Sequence, residues 1–411
     1  MTERLYYHDS FLYEFDADVI ESRARTDGES RRAIVLNRTA FYPTSGGQAF
    51  DMGWIVPAGN PDQKIRIEEV ADGEDGRVLH FVGGEGDLAA GTSVHGLIDA
   101  ERRRDHMQQH SGQHVLSAAF IRLFDMPTVS FHMGADYCSI DLDTKSLSST
   151  QIEAAEALAN DVVTQDRGVA IRFVTQEEAK NLGLRKIPPA EREKLRLIDI
   201  DDFDLTACGG THVASTGQIG SILLRKTEKV RQGWRVEFVC GQRAVATARR
   251  DYTTLAEAAG ILSGHIWEVP QQVRKLQEES RNSKKSREEL LEEIADLHAA
   301  QLLASATMTG SRKVMVQTFG DRDLAFIKLL AQRLVRRGEN VVALVGTTNA
   351  PAALVFAQSA GQPFDMNALM KETLAQLGGR GGGSKDMAQG GPEKTDQVGG
   401  VLGQLASRLQ G

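Results

Sequence analysis

Short apolar runs separated by turn residues fill the N-terminal part of the chain. They include Ala33–Leu36, Ile65–Ile67 and Val78–Val82, with glycine, proline and aspartate between them. Runs of this length and spacing are typical of the strands of small barrels and sandwiches. The pattern therefore predicts a small N-terminal β-barrel over residues 1–92.

A helical period follows the barrel. His110 and His114 belong to a stretch that repeats every three to four residues to about Leu123, and a second helix is predicted from Ser149 to Asp166. The strand-like segments after it are Val169–Val174, Leu195–Ile200, Ile219–Arg225 and Trp234–Val239. This mixture indicates an α+β domain over residues 93–250.

The remaining sequence predicts two more parts. Residues 251–310 are helix-permissive and form an α-helical connector, in which a polar gap between Glu278 and Glu289 argues against a sustained coiled coil. Residues 311–411 alternate strands and helices and contain a glycine-rich loop, Gly378–Gly383, as a compact C-terminal α/β domain would. The predicted fold class is thus α+β multidomain. A homodimer through the connector or the C-terminal domain stays open.

Composition narrows the class of protein. The 411 residues suggest two to four domains at about 150 residues each, and the net charge of −8 does not by itself indicate a polyanionic partner. Three cysteines are too few for a disulfide framework. The N-terminus lacks the order of a signal peptide, and the apolar stretch Val341–Ala357 is interrupted by polar residues and proline. We therefore expect a cytoplasmic protein with no membrane partner.

Two half-sites offer metal ligands. His110 and His114 are four residues apart on a predicted helix, and Cys208 and His212 have the same separation around a Gly-Gly pair. Three imidazoles and one thiolate are a ligand set that zinc accepts, so we predict one shared Zn²⁺ ion. The metalloprotease motif is not matched, because Ser111 stands where its glutamate would be.

Other cysteine and histidine residues are less suited to be metal ligands. Cys138 and Cys240 lie in apolar runs and are predicted to be core residues. His106 shares the helix face one turn before His110, and it is either a spare ligand or a group that supports one.

These motifs resemble those of the alanyl-tRNA editing family, whose domain occurs within alanyl-tRNA synthetases and as freestanding AlaX proteins. The paired zinc motifs, the glycine motif Phe41–Gln48, the segment Cys208–Gly220 and the strand Arg235–Gly241 carry the resemblance. The stretch Gly378–Gln389 is similar to the glycine-rich loop of the DHH-associated domain found in alanyl-tRNA synthetase and in the long form of AlaX.

The resemblance implies a zinc editing domain in residues 93–250 and a tRNA-binding DHH-associated domain in residues 311–411. It implies an aminoacyl-tRNA hydrolase that acts in trans on alanine tRNA mischarged with serine or glycine, a freestanding editing enzyme rather than a ligase. Two alternatives are a zinc-stabilised RNA-binding module without hydrolysis and an editing enzyme of the threonyl type.

The resemblance also suggests residue roles. The segment after the first zinc motif is where the family keeps a hydroxyl-sensing residue, so Ser130 is a candidate together with Thr128 and His132. The turn Gly46-Gly47 can bring backbone N–H groups to a phosphate or ribose, or be only a tight turn. The candidates are Ser130, His132 and Gln48 for catalysis; Ser45, Gly46, Gly47 and Arg235 for substrate binding; and Arg102, Arg103, Arg104, Arg380 and Lys385 for tRNA binding.

The role of the zinc is open at this point. Four firm ligands would make a saturated site that positions the substrate, whereas a loose fourth ligand would leave room for an activated water. We favour three firm ligands, with His212 the weaker one.

Overall fold

The computed structural model describes residues 1–24, 32–73, 75–83, 88–182, 184, 194–308 and 310–410. The chain forms two compact units, Met1–Glu257 and Ala258–Gly411. Within the described ranges, no helix is long and apolar enough to cross a membrane.

The first unit begins with a closed β-barrel, as predicted. Its strands join in the order β2-β3-β7-β6-β5-β8, and β1 pairs with β4 in parallel beside it. Alternate side chains such as Val19, Ile34 and Ile67 point inward and form its core. The six residues of β8 close the barrel, which therefore extends past the predicted boundary at residue 92. The strands are β1 (Glu3–Arg4), β2 (Glu14–Ala24), β3 (Arg32–Leu36), β4 (Arg38–Thr39), β5 (Gly53–Pro57), β6 (Ile65–Asp72), β7 (Val78–Val82) and β8 (Ser93–Ile98).

A long buried helix, α1, organises the rest of this unit. It begins at Asp99, whose carboxylate accepts a hydrogen bond from the Arg102 backbone N–H, and from His106 to Phe120 nearly every residue is buried. The elements are α1 (Ala100–Phe124), β9 (Thr128–Met133), β10 (Cys138–Leu142), α2 (Ser149–Thr164), β11 (Val169–Thr175), α3 (Gln176–Asn181), β12 (Lys194–Ile200), β13 (Asp204–Ala207), β14 (Ile222–Val230), β15 (Gly233–Cys240) and α4 (Gly241–Ile261).

Two antiparallel sheets accompany α1. One has the order β14-β15-β10-β9 and the other β11-β12-β13. Val115, Phe120, Ile140 and Phe238 join one core between α1 and the larger sheet. The four predicted strands correspond to β11, β12, β14 and β15.

The second unit is a three-layer α/β structure. Its sheet has the order β16-β17-β18-β20-β19, in which only β16 and β17 run parallel. Every residue of β17 is buried because helices cover both faces, α5 and α6 on one side and α7 and α8 on the other. The elements are α5 (Val269–Ser305), β16 (Lys313–Phe319), α6 (Leu324–Arg337), β17 (Val341–Thr347), β18 (Ala353–Gln358), α7 (Met366–Leu377), β19 (Arg380–Gly383), β20 (Met387–Gly391) and α8 (Val398–Gln410).

The structures of two segments differ in detail from the sequence-based predictions. The glycine-rich stretch is a β-hairpin edge rather than a loop, because Arg380–Gly383 pairs with β20. In α5, Ala295 and Ala299 are buried against α6, whereas Val273 and Leu276 are exposed. Only the C-terminal half of this helix therefore belongs to the core of the second unit.

Candidate metal centre

The four side chains predicted as metal ligands meet at one point of the first unit. His110 and His114 lie one turn apart on α1, and Cys208 and His212 belong to the loop after β13. One ligand atom of each lies within 4.8 Å of all the others. Cys208 Sγ is 3.4 Å from His110 Nε2 and 3.3 Å from His212 Nε2, so His212 is no more distant than His110.

Cys208 and His212 favour the protonation state that binds a cation. Burial raises the pKa of the Cys208 thiol, but His110 and His212 lower it further, so the net pKa is well below the usual range. Burial lowers the pKa of His212 to about 3 despite the nearby Cys208. Burial also acts on His114, but Asp204 and Cys208 outweigh it and raise its pKa to about 9. Once His114 releases its proton to a bound metal, the thiolate and the three imidazoles are a donor set that zinc accepts.

Each imidazole turns its Nδ1 atom toward an oxygen away from the thiolate. His110 Nδ1 lies 2.7 Å from Gln48 Oε1, and His212 Nδ1 lies 3.1 Å from Ser111 Oγ. His114 Nδ1 lies 3.5 Å from Asp204 Oδ2. The hydrogen bonds of His110 and His212 fix the orientation of their rings and leave the Nε2 atoms to bind metal, as in known zinc sites, whereas His114 has only the longer ion-pair contact with Asp204.

Gln48 reaches the centre from the segment between β4 and β5. Its side chain is fully buried. Its Oε1 accepts the His110 Nδ1–H and also the Thr211 N–H at 3.1 Å, while its Nε2 donates to Thr211 Oγ1 at 2.8 Å. Gln48 therefore joins both half-sites, a positioning role that differs from the catalytic one predicted.

Gly210 makes room for this arrangement. A Cβ atom there would overlap the His110 ring and lie 2.8 Å from Gln48 Oε1. At Gly209, by contrast, the nearest atoms to a Cβ would be those of the Tyr7 ring at 3.7 Å. The Gly-Gly pair in the sequence signalled a loose turn, but only the structure shows which of the two glycines is sterically required.

The glycine motif forms a tight turn beside the centre. Gly46 and Gly47 have φ values of +57° and +85°, and Ser45 and Gln48 exchange backbone hydrogen bonds. A Cβ at Gly47 would lie 2.5 Å from the Phe131 carbonyl oxygen. Phe131 in turn stacks on His110 with ring centroids 5.4 Å apart. Ser45 and Gly46 are exposed at the tip of the turn.

Ser130, His132 and Arg235 lie on a different surface. Since Phe131 stacks on His110 and neighbouring strand residues point to opposite faces, Ser130 and His132 face away from the metal centre. Ser130 Oγ donates to Asp141 Oδ2 at 2.8 Å, and Arg235 binds the same carboxylate. The structure does not bring these three predicted site residues to the metal ligands.

Thr128 lies on the α1 side of the sheet. The strand is irregular between Thr128 and Ser130, which lets Thr128 Oγ1 approach Ser117 Oγ at 2.7 Å. Gln113 Nε2 donates to the same Ser117 oxygen at 2.8 Å. These polar groups adjoin His114 along the helix.

The predicted tRNA-binding arginines have different environments. Arg103 is fully buried, and its guanidinium binds the Asp51 carboxylate and the carbonyl oxygens of Ser10 and Ala40. It therefore cannot contact RNA, which corrects that expectation. Arg102 is half-buried and Arg104 is exposed. Arg380 and Lys385 are exposed on the β19–β20 hairpin of the second unit.

Family models match three parts of this chain. The model for tRNA synthetases class II (A) matches residues 2–102, and that for the threonyl and alanyl tRNA synthetase second additional domain matches residues 195–236. The DHHA1 domain matches residues 312–411. The second match contains Cys208 and His212.

Relatives match along nearly the whole sequence. The chain is 34% identical to the alanyl-tRNA editing protein AlaX-L of Pyrococcus horikoshii, with 100% of each chain covered. It is 33% identical to the alanine–tRNA ligase of Archaeoglobus fulgidus and 31% identical to that of Pyrococcus abyssi, with 95% of this chain and 42% of each ligase covered. The chain thus spans less than half the length of these ligases.

Proposed function

Because the chain belongs to the family of alanyl-tRNA editing proteins that includes AlaX-L, we propose that it hydrolyses the ester between alanine tRNA and a wrongly attached serine or glycine. The family relationship supports editing of alanine tRNA and a deacylase activity. Serine and glycine are the amino acids expected to be attached in error. A pocket that binds alanine cannot exclude the smaller glycine, and it rejects serine, with its one added hydroxyl, only modestly.

The convergence of His110, His114, Cys208 and His212 is the observation that carries this proposal. Their nitrogen and sulfur atoms fit Zn²⁺, and the oxygens of Gln48 and Ser111 hold the rings of His110 and His212 in place. A bound zinc ion with an open position would bind the substrate's amino group or polarise the ester carbonyl, whereas a saturated ion would shape the substrate pocket. Because four protein ligands complete a tetrahedral shell, we favour the role in which the ion shapes the pocket that positions the substrate.

Selection of serine needs a polar group beside the centre. We assign this role to Thr128 on the α1 side of the sheet. Its hydroxyl is hydrogen-bonded to Ser117, which in turn accepts a hydrogen bond from Gln113. The hydroxyl of a substrate serine can join this hydrogen-bond network, whereas a substrate alanine would leave a polar group unpaired at a cost of about 1–3 kcal/mol. Ser130 is less suited because its hydroxyl is already bound to Asp141 on the other face.

In this proposal, exposed arginine and lysine side chains bind the phosphate backbone of the tRNA. Arg104 in the first unit and Arg380 and Lys385 in the second are accessible to a phosphate backbone. The net charge of −8 does not oppose this, because phosphate contacts depend on local clusters of basic residues.

Deacylation assays test the proposal. The purified protein is incubated with Ser-, Gly- and Ala-tRNA of alanine identity and with Ser-tRNA of threonine identity, with and without a chelator, beside Cys208→Ala and Cys138→Ala variants. We expect loss of serine or glycine that is abolished by the chelator and by Cys208→Ala but not by Cys138→Ala. Binding of tRNA without deacylation would favour the RNA-binding module, and hydrolysis only of mischarged threonine tRNA would favour the threonyl type.

A further inference from the structure

A polar cavity opens in the first unit, and none of the four metal ligands lines it. It has a volume of about 1050 Å³ and lies between the first turns of α1 and the start of α4. Arg102, Arg104, His106 and Gln108 line it from α1, and Gln242 and Ala246 line it from α4. Its size is at the upper end of the range of small-molecule and cofactor sites.

His106 gives this cavity an unsatisfied polar group. The residue is 2% exposed, and its Nδ1 has no hydrogen-bond partner in the described parts of the chain. Burial, reinforced by Arg102, lowers its pKa to about 4, so the ring is neutral at physiological pH. An unpaired buried polar atom destabilises the protein, and a ligand group that supplies the missing hydrogen bond removes this cost.

The charges around the cavity argue against a bare anion as its occupant. Arg243 is already paired with Asp105 at 2.5 Å, and Asp99 and Glu101 add negative charge at the same end of α1. Arg104 is exposed at the edge, with no ion pair among the residues that the structure describes. A mixture of donors and acceptors inside with a free guanidinium at the rim suits a nucleoside whose phosphate stays outside.

The surface beyond the cavity extends this pattern along α4. Residues three and four positions apart share a helix face, so Arg249 and Arg250 follow Ala246 on the face that lines the cavity. Both arginines are exposed, as is Tyr252, over whose ring the Arg249 guanidinium lies at 5.9 Å. Cationic groups interleaved with an aromatic ring are typical of surfaces that bind single-stranded nucleic acid.

We propose that this cavity binds a nucleoside of the single-stranded 3′ end of the tRNA, with the base or ribose against His106 and a flanking phosphate at Arg104. The proposal rests on the proposed function, since it takes the edited tRNA as the ligand. His106 precedes the metal ligand His110 by one helical turn, about 6 Å along the axis. Met133, which also lines the cavity, donates its N–H to the carbonyl of Gly47 at 3.0 Å, so the cavity adjoins the glycine turn beside the metal centre.

The test uses two alanines of α4. Ala246 and Ala248 are both exposed, but only Ala246 lines the cavity. Ala246→Trp would fill the cavity without removing a buried group, and Ala248→Trp is the matched control. Binding of a fluorescent single-stranded RNA octamer ending in CCA is measured by anisotropy, and KM and kcat are measured with Ser-tRNA for the full-length protein.

We expect Ala246→Trp to weaken octamer binding about tenfold and to raise KM for Ser-tRNA with little change in kcat, because the indole would block the stacking of one base. Arg104→Ala should weaken binding and reduce the salt dependence by about 0.7 in logarithmic slope, as loss of one phosphate contact does. Ala248→Trp should behave as the wild type.

Equal octamer affinity and KM in Ala246→Trp, Ala248→Trp and the wild type would overturn the cavity proposal while the wild type still deacylates Ser-tRNA. Failure of the proposed function gives a different result, since the wild type would then release no serine. The octamer measurement does not depend on hydrolysis and decides on the cavity in either case.

Discussion

Gln48 Oε1 lies 2.7 Å from His110 Nδ1, so a side chain from the barrel segment fixes a metal ligand on α1, 62 residues further along the chain. The same oxygen accepts the Thr211 N–H from the second half-site. The barrel segment therefore contributes a contact to the candidate metal centre, and both regions lie in one compact unit. The glycine turn before Gln48 aims this side chain.

Gln48→Ala should weaken metal binding. The substitution leaves the His110 Nδ1–H and the Thr211 N–H without their acceptor, and loss of such a partner typically costs 10- to 100-fold in metal affinity. Competition against a chromophoric zinc chelator measures the change. Gln63→Ala, on a half-buried glutamine of the barrel region away from this site, is the control. Equal affinities in both variants would show that His110 does not depend on Gln48.

Gly210→Ala should reduce zinc content and deacylation, whereas Gly209→Ala should be tolerated. A Cβ at Gly210 forces His110 or Gln48 to move, and such overpacking costs about 1–3 kcal/mol. A Cβ at Gly209 meets only ordinary contact distances. Zinc per protein, measured by atomic emission after dialysis, separates the two variants. Loss of metal in Gly209→Ala alone would contradict the geometry of this loop.

Arg103→Ala should destabilise the first unit without changing affinity for RNA. Its guanidinium lies in a fully buried ion pair with Asp51, and removing one partner of such a pair costs about 3–5 kcal/mol. Urea unfolding followed by circular dichroism measures the loss. Arg104→Ala, next to it on the exposed side of α1, should change stability by less than about 0.5 kcal/mol and weaken tRNA binding instead. The reverse pattern would restore Arg103 as an RNA contact.

The sequence indicated the four residues that the structure brings together as a possible metal site. His110 and His114 repeat at a helical period, and Cys208 and His212 flank a Gly-Gly pair, so residue type and separation were sufficient. The partners of these ligands were not predictable in the same way. Gln48 and Asp204 reach the centre through tertiary packing, and no local pattern indicates their targets.

The orientation of β9 shows a second limit. Alternation would place Thr128, Ser130 and His132 on one face, and these were predicted together as candidates. The irregular pairing between Thr128 and Ser130 instead separates Thr128 from the other two. Such a bulge inserts one residue into the strand and leaves no strong signal in the sequence. The alternation of side chains between the two faces therefore cannot be predicted across it.

Thr128→Val should therefore lower the preference for serine over alanine, and Ser130→Ala should not. Valine keeps the β-branched shape that suits a strand and removes only the hydroxyl. If that hydroxyl binds serine, its loss reduces the ratio of kcat/KM for Ser-tRNA over Ala-tRNA by about 5- to 150-fold, equivalent to about 1–3 kcal/mol. Ser130→Ala removes a hydroxyl bound to Asp141 on the opposite face and should leave the ratio unchanged. An unchanged ratio in Thr128→Val together with a reduced one in Ser130→Ala would assign serine recognition to that other face, away from the metal ligands.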